Sequence, residues 1–430
     1  MKKNRTKSKK KHPPVKQRHV SVQLSLPLLA ETGSVREGFF ALCVRAGMAV
    51  LQEMMEQDRA RICGAPWSRD PGREAVRTGS AAAEVTLGGR RVPIRRPRAG
   101  DRQGEEVTLA SYAWAAARDP LEGQTWDAVV SGVSTRNYAR SLESLPQGVE
   151  ERATSKSAVS RRFVALSQKR LRECLGRSLE EIEFRVVMID GIVFRDHAVL
   201  VALGIDSGGN KHVLGLREGT TENSGVARAL LSDLIRRGLS TERRLLFVID
   251  GAGALRKAIR ESFGSVPLVQ RCQVHKIRNV LDHLPEEYYA SVRKAMREAY
   301  GTASVKLARK QLLRLADSLR DAHPGAAASL EEGLDETLTL QELGFSEGAL
   351  WATLRSTNPI ESLNGGIAKF TRNVKRWRGG SMILRWVGSA VLEAETRFRR
   401  VRGHRQMKDL IRALDAETVT RQSRAAKRTA

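Results

Sequence analysis

Short apolar runs without polar alternation dominate the chain between Arg185 and Leu284, and turn residues or amphipathic segments separate them. A continuous apolar run is typical of a strand that is buried on both faces of a sheet. Apolar residues at helical spacing predict helices after the third, fourth and fifth of these runs. The predicted order is therefore strand, strand, strand, helix, strand, helix, strand, helix. The predicted strands cover 185–190, 198–205, 212–217, 244–250 and 266–270.

Two of these strands end in an aspartate followed by a glycine. Asp190 and Gly191 follow the first strand, and Asp250 and Gly251 follow the fourth. The short, turn-rich link 206–210 favours an antiparallel hairpin at the start of the sheet. The element order resembles that of RNase H-like domains, in which the first and fourth strands are neighbours. The resemblance places Asp190 and Asp250 side by side at one sheet edge, whereas the alternative is that each aspartate only ends a strand in a turn.

Two neighbouring aspartates have a specific chemical implication. Like charges a few ångströms apart repel, so one of the two carboxyl groups tends to stay protonated. A divalent cation removes this conflict, and Mg²⁺ prefers oxygen ligands such as carboxylates and substrate phosphates. Two such ions can activate an attacking oxygen and stabilise a leaving oxygen in phosphoryl transfer. The pair of aspartates therefore predicts a metal-dependent phosphoryl-transfer site.

A Cys-x-x-His pair, Cys272 and His275, follows the fifth strand. A structural zinc site needs four ligands and no second pair follows at suitable spacing, so the sequence argues against zinc. If a helix begins at Cys272, then His275, Arg278 and Asn279 share one of its faces. We expect that face to contact a DNA phosphate or to form hydrogen bonds near the metal site.

Helical apolar spacing over 286–350 predicts an all-α insertion. After it, Thr357 or Asn358 can cap a helix whose first position is Pro359, which places Glu361 in the first turn. Taken alone, Glu361 could simply complement the helix dipole. A basic tract follows that is suited to phosphate contacts, with an indole for stacking on a base. Its candidate DNA-binding residues are Lys369, Arg372, Lys375, Arg376 and Trp377.

The N-terminal third of the chain is predicted to be mainly helical. Residues 1–19 hold nine lysines or arginines and no acid, which predicts a disordered basic arm or a solvated tail. A helical pattern covers 35–61, with Phe39, Cys43, Ala46, Val50 and Met54 along one face. A hairpin is predicted over 85–94, and it leads into an extended basic segment. That segment offers Arg95, Arg96 and Arg98 to a DNA backbone.

A helix-turn-helix type of unit is predicted from about 125 to 171. Its first helix contains Trp126, a turn at Gly132 follows, and Ser134 is expected to cap a second helix. A third helix begins near Ser155 and exposes polar and basic side chains in its first turns, as a recognition helix does in the major groove. A plain structural bundle is the alternative. The candidate DNA-binding residues are Arg136, Lys156, Ser157, Ser160, Arg161 and Arg162.

The overall charge points to a polyanionic partner. Lysine and arginine total 74 against 48 acidic residues, which gives a net charge of +26 and a pI near 10.6. Nucleic acid is the first candidate, because a basic excess of this size is typical of DNA-binding proteins. No long apolar span, lipidation signal or secretory signal is evident, which argues against a membrane partner. Four scattered cysteines favour reduced thiols in a cytoplasmic protein. With DNA as the partner, the protein is expected to be associated with the nucleoid.

Several motifs occur together in an order that resembles one family. They are GVSTR at 132–136, SAVSR at 157–161, IDG at 189–191 and 249–251, QRCQVH at 270–275 and STNPIESLN at 356–364. Over roughly 85–400 the chain resembles the mutator-type (MULE-like) transposases of bacterial insertion sequences. The resemblance implies an α/β RNase H-like catalytic core with a mixed five-stranded sheet and an all-α insertion, preceded by a mainly α-helical DNA-binding region. It also implies a DDE triad of Asp190, Asp250 and Glu361, with Asn358 and the Cys-x-x-His pair nearby.

The expected function is that of a DNA transposase. The triad would hold two Mg²⁺ ions, with Mn²⁺ as a substitute, and double-stranded DNA would be the partner, as terminal inverted repeats and as target. Pairing two ends implies at least a homodimer in the synaptic complex. A hydrolytic nuclease of the same fold and a non-catalytic DNA-binding protein derived from a transposase are the rival hypotheses. The expected regions are a basic arm (1–30), a helical and hairpin region (31–120), the helix-turn-helix-like domain (121–178), the core (179–284 and 353–402), the insertion (285–352) and a basic tail (403–430).

Overall fold

The computed structural model describes residues 35–416, except for 69–71, 88–89, 118, 120–121, 143–154, 220–223, 265–266 and 373. The described residues form two compact units, which lie within Met1–Phe163 and Val164–Ala430. The predicted basic arm lies outside the described residues, as does the segment 417–430. None of the helices in the described ranges combines the length and apolar character that a membrane span requires. All four cysteines are free thiols, as expected.

The first unit combines helices with a small antiparallel sheet. Its sheet has the order β1-β2-β3, and the first two strands pair with Val85 opposite Val92. The predicted hairpin is therefore present, and β1 begins nine residues earlier than expected, at Val76. The elements are α1 (Val35–Cys63), β1 (Val76–Leu87), β2 (Arg90–Gly100), β3 (Glu106–Val107), α2 (Ala110–Ala117), α3 (Glu122–Val130), a 3₁₀ helix (Ala139–Ser141) and the start of α4 (Lys156–Leu175).

The buried face of α1 differs from the predicted one. Val50 and Met54 are 39% and 38% exposed and Cys43 is exposed, whereas Leu51 and Met55 are buried. Both choices follow helical spacing, and apolar residues occupy adjacent positions of this helix. The packing partners decide between them, since Leu51 and Met55 join the core that β1, β2 and α2 form.

The prediction of a second helix in the helix-turn-helix unit is wrong for the residues that the structure describes. Turns occupy 135–138 and only a 3₁₀ helix, Ala139–Ser141, follows before the segment 143–154, which is outside the described residues. Ser134 Oγ accepts a hydrogen bond from the Asn137 backbone at 3.2 Å, a local contact that competes with helix formation. The hydroxyls of buried Tyr138 and Thr125 lie 2.9 Å apart and hold this turn against α3.

The second unit is built on the predicted mixed five-stranded sheet. The strand order is β6-β5-β4-β7-β8, with β4–β5 and β5–β6 antiparallel and β4–β7 and β7–β8 parallel. The first and fourth strands of this unit are therefore neighbours, as predicted. The elements are β4 (Phe184–Phe194), β5 (His197–Asp206), β6 (Lys211–Gly219), α5 (Ser224–Arg236), β7 (Leu246–Ile249), α6 (Gly253–Phe263), β8 (Leu268–Arg271) and α7 (Gln273–Leu281).

Helices cover both faces of this sheet, which explains why the central positions of its strands form continuous apolar runs. Val186 and Met188 of β4 belong to one core, together with residues of the C-terminal helices. Val187 and Ile189 belong to a second core, which α5 and α6 complete on the opposite face. Side chains alternate across a strand, so two buried faces require an uninterrupted apolar run.

The region 286–350 is helical, as predicted, and has a core of its own. Met296, Ala308 and Leu312 lie in this core and are fully buried. The last described helix, α16, covers 407–416 and packs into the main core. The elements are a 3₁₀ helix (Glu286–Tyr288), α8 (Tyr289–Tyr300), α9 (Val305–Arg320), α10 (Pro324–Glu331), α11 (Leu334–Thr337), α12 (Thr339–Glu342), α13 (Gly348–Leu354), α14 (Asn358–Thr371), α15 (Gly380–Glu395) and a 3₁₀ helix (His404–Gln406).

The segment 403–416 differs from the predicted basic tail. Met407, Leu410 and Leu414 are each 0% exposed and belong to the core beneath β4. Their spacing follows one helix face, and the basic residues between them point outward. The charged residues that separate these apolar positions make the segment polar in composition, although its apolar residues follow helical spacing.

Candidate active site

Asp190 on β4 and Asp250 just after the end of β7 lie at the same level of two neighbouring parallel strands. Met188 of β4 lies opposite Val248 of β7, and each aspartate is two residues farther along. The predicted strand end at Asp190 is wrong, because β4 continues to Phe194 and pairs Gly191 with Leu200 of β5. Asp190 therefore belongs to a continuing strand, which excludes the simple turn as the reason for its position.

Asp250 is presented by a turn that requires glycine. Gly251 has a φ of +105°, and a Cβ atom there would lie 2.0 Å from Nε of Arg271. The Asp250 carboxylate accepts a hydrogen bond from the backbone N–H of Ala252 at 2.8 Å. This local contact fixes one carboxylate oxygen at the start of α6.

Glu361 reaches the same region from the first turn of α14, as predicted, with Thr357 at the N-cap. The buried Thr357 hydroxyl is within hydrogen-bonding distance of Glu361 Oε1, of Cys272 Sγ at 3.4 Å and of His275 Nδ1 at 3.3 Å. His275 Nδ1 lies 3.9 Å from Glu361 Oε1. Thr357 therefore links the third acid to the Cys-x-x-His segment, a role that its sequence position did not indicate.

Asn364 connects the helix of Glu361 to the strand of Asp190. Its Nδ2–H donates a hydrogen bond to Asp190 Oδ2 at 2.7 Å. Asn364 is three residues after Glu361, so both side chains project from the same face of α14. The sequence analysis missed Asn364, although this spacing from Glu361 was the available signal.

The acids of the cluster influence one another electrostatically. Burial raises the pKa of Asp190, a backbone hydrogen bond from Gly191 opposes this, and the charges of Asp250 and Glu361 raise the pKa further. A hydrogen bond with Cys272 and nearby negative charges raise the pKa of His275, although burial opposes them. Burial raises the pKa of the Cys272 thiol, but hydrogen bonds with His275 and Thr357 outweigh it, so the net shift is downward.

Asp190→Asn is expected to stabilise the metal-free protein by about 0.5–2 kcal/mol, the usual range for a favourable substitution. The raised pKa means that the folded state favours the protonated carboxyl, so its stabilising effect is lost as the pH rises through that pKa. Asparagine stays neutral and can still accept the hydrogen bond from Asn364. Thermal melting at neutral pH in EDTA should give a higher Tm for the variant.

The Tm of wild type and of Asp190→Asn is also compared with added Mg²⁺. Wild type should gain stability from a ligand that binds only the folded state, and the variant should gain less. Asp409→Asn, at an exposed acid on α16, serves as the control and should melt like wild type. A lower Tm for Asp190→Asn in EDTA would contradict the electrostatic argument.

The donor set fits a hard divalent cation. The charges of Asp250 and Glu361 act on the Asp190 carboxylate, and Asn364 Oδ1 is buried without a hydrogen-bond partner among the described residues. Oxygen donors of this kind suit Mg²⁺ and Mn²⁺. Cys272, His275 and Glu361 also place one ligand atom each within 4.8 Å of one another. The Cys272 sulfur, however, accepts hydrogen bonds from the His275 backbone and Thr357.

Other residues predicted near the site lie on the surface around it. Arg278 and Asn279 are exposed on α7, and Asn358 is exposed at the start of α14. Within the described part of the chain, the side chains of Arg278 and Asn279 form no hydrogen bond or ion pair with one another or with the acids. These residues are free to contact a substrate, and their roles stay predictions.

Most of the candidate DNA-binding side chains are exposed, and a few are engaged within the protein. Arg162 donates to Thr86 Oγ1 at 2.9 Å and faces Asp119, so it is not a free surface cation. The Trp377 ring packs edge-on against Phe194 with centroids 5.1 Å apart, which removes it as a free stacking surface. Ser160 is half-buried, and Arg96 and Arg98 pair with Glu106. The exposed candidates are Arg95, Arg136, Lys156, Ser157, Arg161, Lys369, Arg372, Lys375 and Arg376.

Comparison with known proteins identifies the family. The sequence profile described as "Transposase, Mutator family" matches residues 18–401. The chain is 27% identical to the transposase for insertion sequence element ISRM5 of Rhizobium meliloti, over 84% of this chain and 89% of that protein. It is 26% identical to the transposase for element IS256 in transposon Tn4001 of Staphylococcus aureus, over 80% and 87%. It is 29% identical to the transposase for element IS6120 of Mycolicibacterium smegmatis, over 54% and 71%. The chain belongs to the Mutator family of transposases.

Proposed function

We propose that this chain is a DNA transposase that cuts the ends of an insertion sequence and joins them to target DNA. The observation that carries the proposal is the electrostatic coupling of Asp190 to Asp250, on the neighbouring strand, and to Glu361 of α14, with Asn364 hydrogen-bonded to Asp190. The strand order and directions of the second unit support an RNase H-like core for this site. Relatives over most of the chain are named as insertion sequence transposases.

The reaction consists of two phosphoryl transfers. In the first, a water oxygen attacks the phosphorus at the element end, and the bond from phosphorus to the 3′ oxygen breaks to free a 3′-OH. In the second, that 3′ oxygen attacks a target phosphorus and displaces another 3′ oxygen. In each transfer the attacking oxygen loses a proton to solvent, and the leaving 3′ oxygen takes up a proton to become a 3′-OH. The carboxylates serve as ligands, so no covalent protein intermediate forms.

The residues of the chain divide the work. Asp190, Asp250 and Glu361 would hold two Mg²⁺ ions, or Mn²⁺ in their place. When bound, the ions would activate the attacking oxygen and neutralise charge on the leaving oxygen. Thr357 orients Glu361, and Asn364 orients Asp190. These contacts restrain Glu361 and Asp190 before DNA arrives, which lowers the cost of reaching the reactive geometry.

DNA binding is assigned to the exposed basic side chains. Arg161 and Lys156 in the first turns of α4 are exposed, as are Lys375 and Arg376 before α15. Contacts of this kind to phosphates give affinity that falls as salt concentration rises. Two ends must be brought together for joining, so at least a homodimer is expected in the complex with DNA. The alternatives to a transposase are a hydrolytic nuclease of the same fold and a DNA-binding protein without catalytic activity.

The test is an assay of strand cleavage and joining on DNA that carries the ends of the element encoding this chain. Products should appear with Mg²⁺ at the element end, and a scrambled end or EDTA should remove them. Cleavage that is indifferent to the end sequence and gives no joined product would instead indicate a nuclease. Mg²⁺-independent binding without any chemistry, under conditions in which a related transposase works, would indicate a binding protein.

A further inference from the structure

Asn364 has two polar atoms in different situations. Its Nδ2 is satisfied by the 2.7 Å hydrogen bond to Asp190 Oδ2. Its Oδ1 is buried and has no hydrogen-bond partner among the described residues. A buried carbonyl oxygen without a partner is unfavourable, so such an atom in an otherwise satisfied site calls for an explanation.

The orientation of the amide is dictated by its neighbour. Reversing it would set the amide oxygen against the Asp190 carboxylate oxygen that now accepts the hydrogen bond, so the observed orientation is the favourable one. With Nδ2 hydrogen-bonded to Asp190, Oδ1 of the same amide group is held near the Asp190 carboxylate. Glu361, one turn earlier on α14, provides a carboxylate on the same helix face.

We propose that Asn364 is a fourth ligand residue of the catalytic metal centre, in which Oδ1 binds the divalent cation while Nδ2 holds Asp190. The inference rests on the proposed function, since it assumes a cation bound by the three acids. Amide carbonyl oxygens are suitable ligands for Mg²⁺ and Mn²⁺. The cation would satisfy Oδ1, and the N–H group would leave the second oxygen of Asp190 available.

A rival explanation is that Asn364 only fastens α14 to β4. The two explanations make opposite predictions for Asn364→Asp. Aspartate supplies an oxygen in the same place but cannot donate a hydrogen bond to Asp190. If Oδ1 is a ligand, aspartate retains metal binding; if the N–H group is all that matters, aspartate is as harmful as leucine.

The experiment is a titration of the full-length protein with Mn²⁺ in the absence of DNA, with free Mn²⁺ followed by electron paramagnetic resonance. Asn364→Leu should bind Mn²⁺ about 10–100-fold more weakly, the usual loss for a residue that supports a metal site. Asn364→Asp should stay within a few-fold of wild type. Ser362→Leu, at an exposed position of the same helix, should bind like wild type. Melting curves establish that each variant is folded.

The outcomes separate this inference from the function on which it rests. Wild-type affinity in Asn364→Leu would overturn the ligand role, and so would equal losses in the leucine and aspartate variants. If the leucine variant does not fold, strong loss of Mn²⁺ affinity in the folded aspartate variant overturns it. Asp250→Ala is measured alongside. Unchanged Mn²⁺ binding in that variant would refute the proposed metal centre itself, whatever Asn364 does.

Discussion

Asp250→Ala is expected to lower the rates of end cleavage and strand joining by about 10³-fold while DNA binding persists. The carboxylate leaves a strand end beside Asp190, and its loss removes a ligand from the proposed metal centre. A catalytic metal supplies several kcal/mol of transition-state stabilisation, and about 4 kcal/mol corresponds to about 10³-fold in rate. Cleavage and joining are measured under single-turnover conditions, and binding is measured by titration of labelled end DNA.

The DNA affinity of Asp250→Ala, measured beside its activity, shows whether the variant still binds its substrate. Removing a negative charge beside the DNA phosphates should leave binding unchanged or slightly tighter, because like-charge repulsion falls. Asp409→Ala, which removes an exposed acid that pairs with Arg412, is the matched control and should retain full activity. Normal cleavage by Asp250→Ala would remove Asp250 from the catalytic group.

Gly403→Ala is expected to destabilise the second unit by about 2–5 kcal/mol. Gly403 has a φ of +79°, a conformation that costs an L-residue roughly 1–2 kcal/mol. A Cβ atom at this position would also lie 2.2 Å from the backbone nitrogen of Leu350, and such overpacking costs about 1–3 kcal/mol or more. The clash involves backbone, so a side-chain rotation cannot relieve it. Urea unfolding followed by circular dichroism should give a clearly lower midpoint.

Gly365→Ala is the control for the stability measurement. Gly365 lies inside α14, and a Cβ atom there would meet nothing within 4 Å. Alanine is favoured over glycine in a helix by roughly 0.5–1 kcal/mol, so this variant should be slightly more stable than wild type. Equal midpoints for Gly403→Ala and wild type would mean that the contact between Gly403 and Leu350 is looser than described.

The sheet and the two aspartates were accessible to sequence reasoning because the signals were local. The central strands contain continuous apolar runs, and Ile249, Asp250 and Gly251 mark an abrupt change from core to turn. Neighbouring strands could be inferred from the element order. The sequence did not predict where β4 ends. Its pairing with β5 beyond Asp190 depends on contacts between the two strands, which the residues of β4 alone do not indicate.

Side-chain partnerships across the chain were beyond the reach of the sequence. The bond between Asn364 and Asp190 joins residues that are far apart in sequence, and an asparagine on a helix has many other possible partners. The contact of Trp377 with Phe194 is of the same kind, and it reassigned a predicted stacking residue to packing. Ser134 misled for a different reason, because the same residue type caps helices and closes turns.

Because α16 is close to the C-terminal end of the chain, part of the core under β4 is synthesised late. Met407, Leu410 and Leu414 complete the apolar layer beneath β4, the strand that carries Asp190. A chain still on the ribosome lacks that layer until these residues have emerged. Without it, too little apolar surface is buried to offset the conformational entropy lost when the site becomes ordered. Nascent or prematurely terminated chains should therefore lack an organised centre, which would keep incomplete products from cutting the DNA of the cell that makes them.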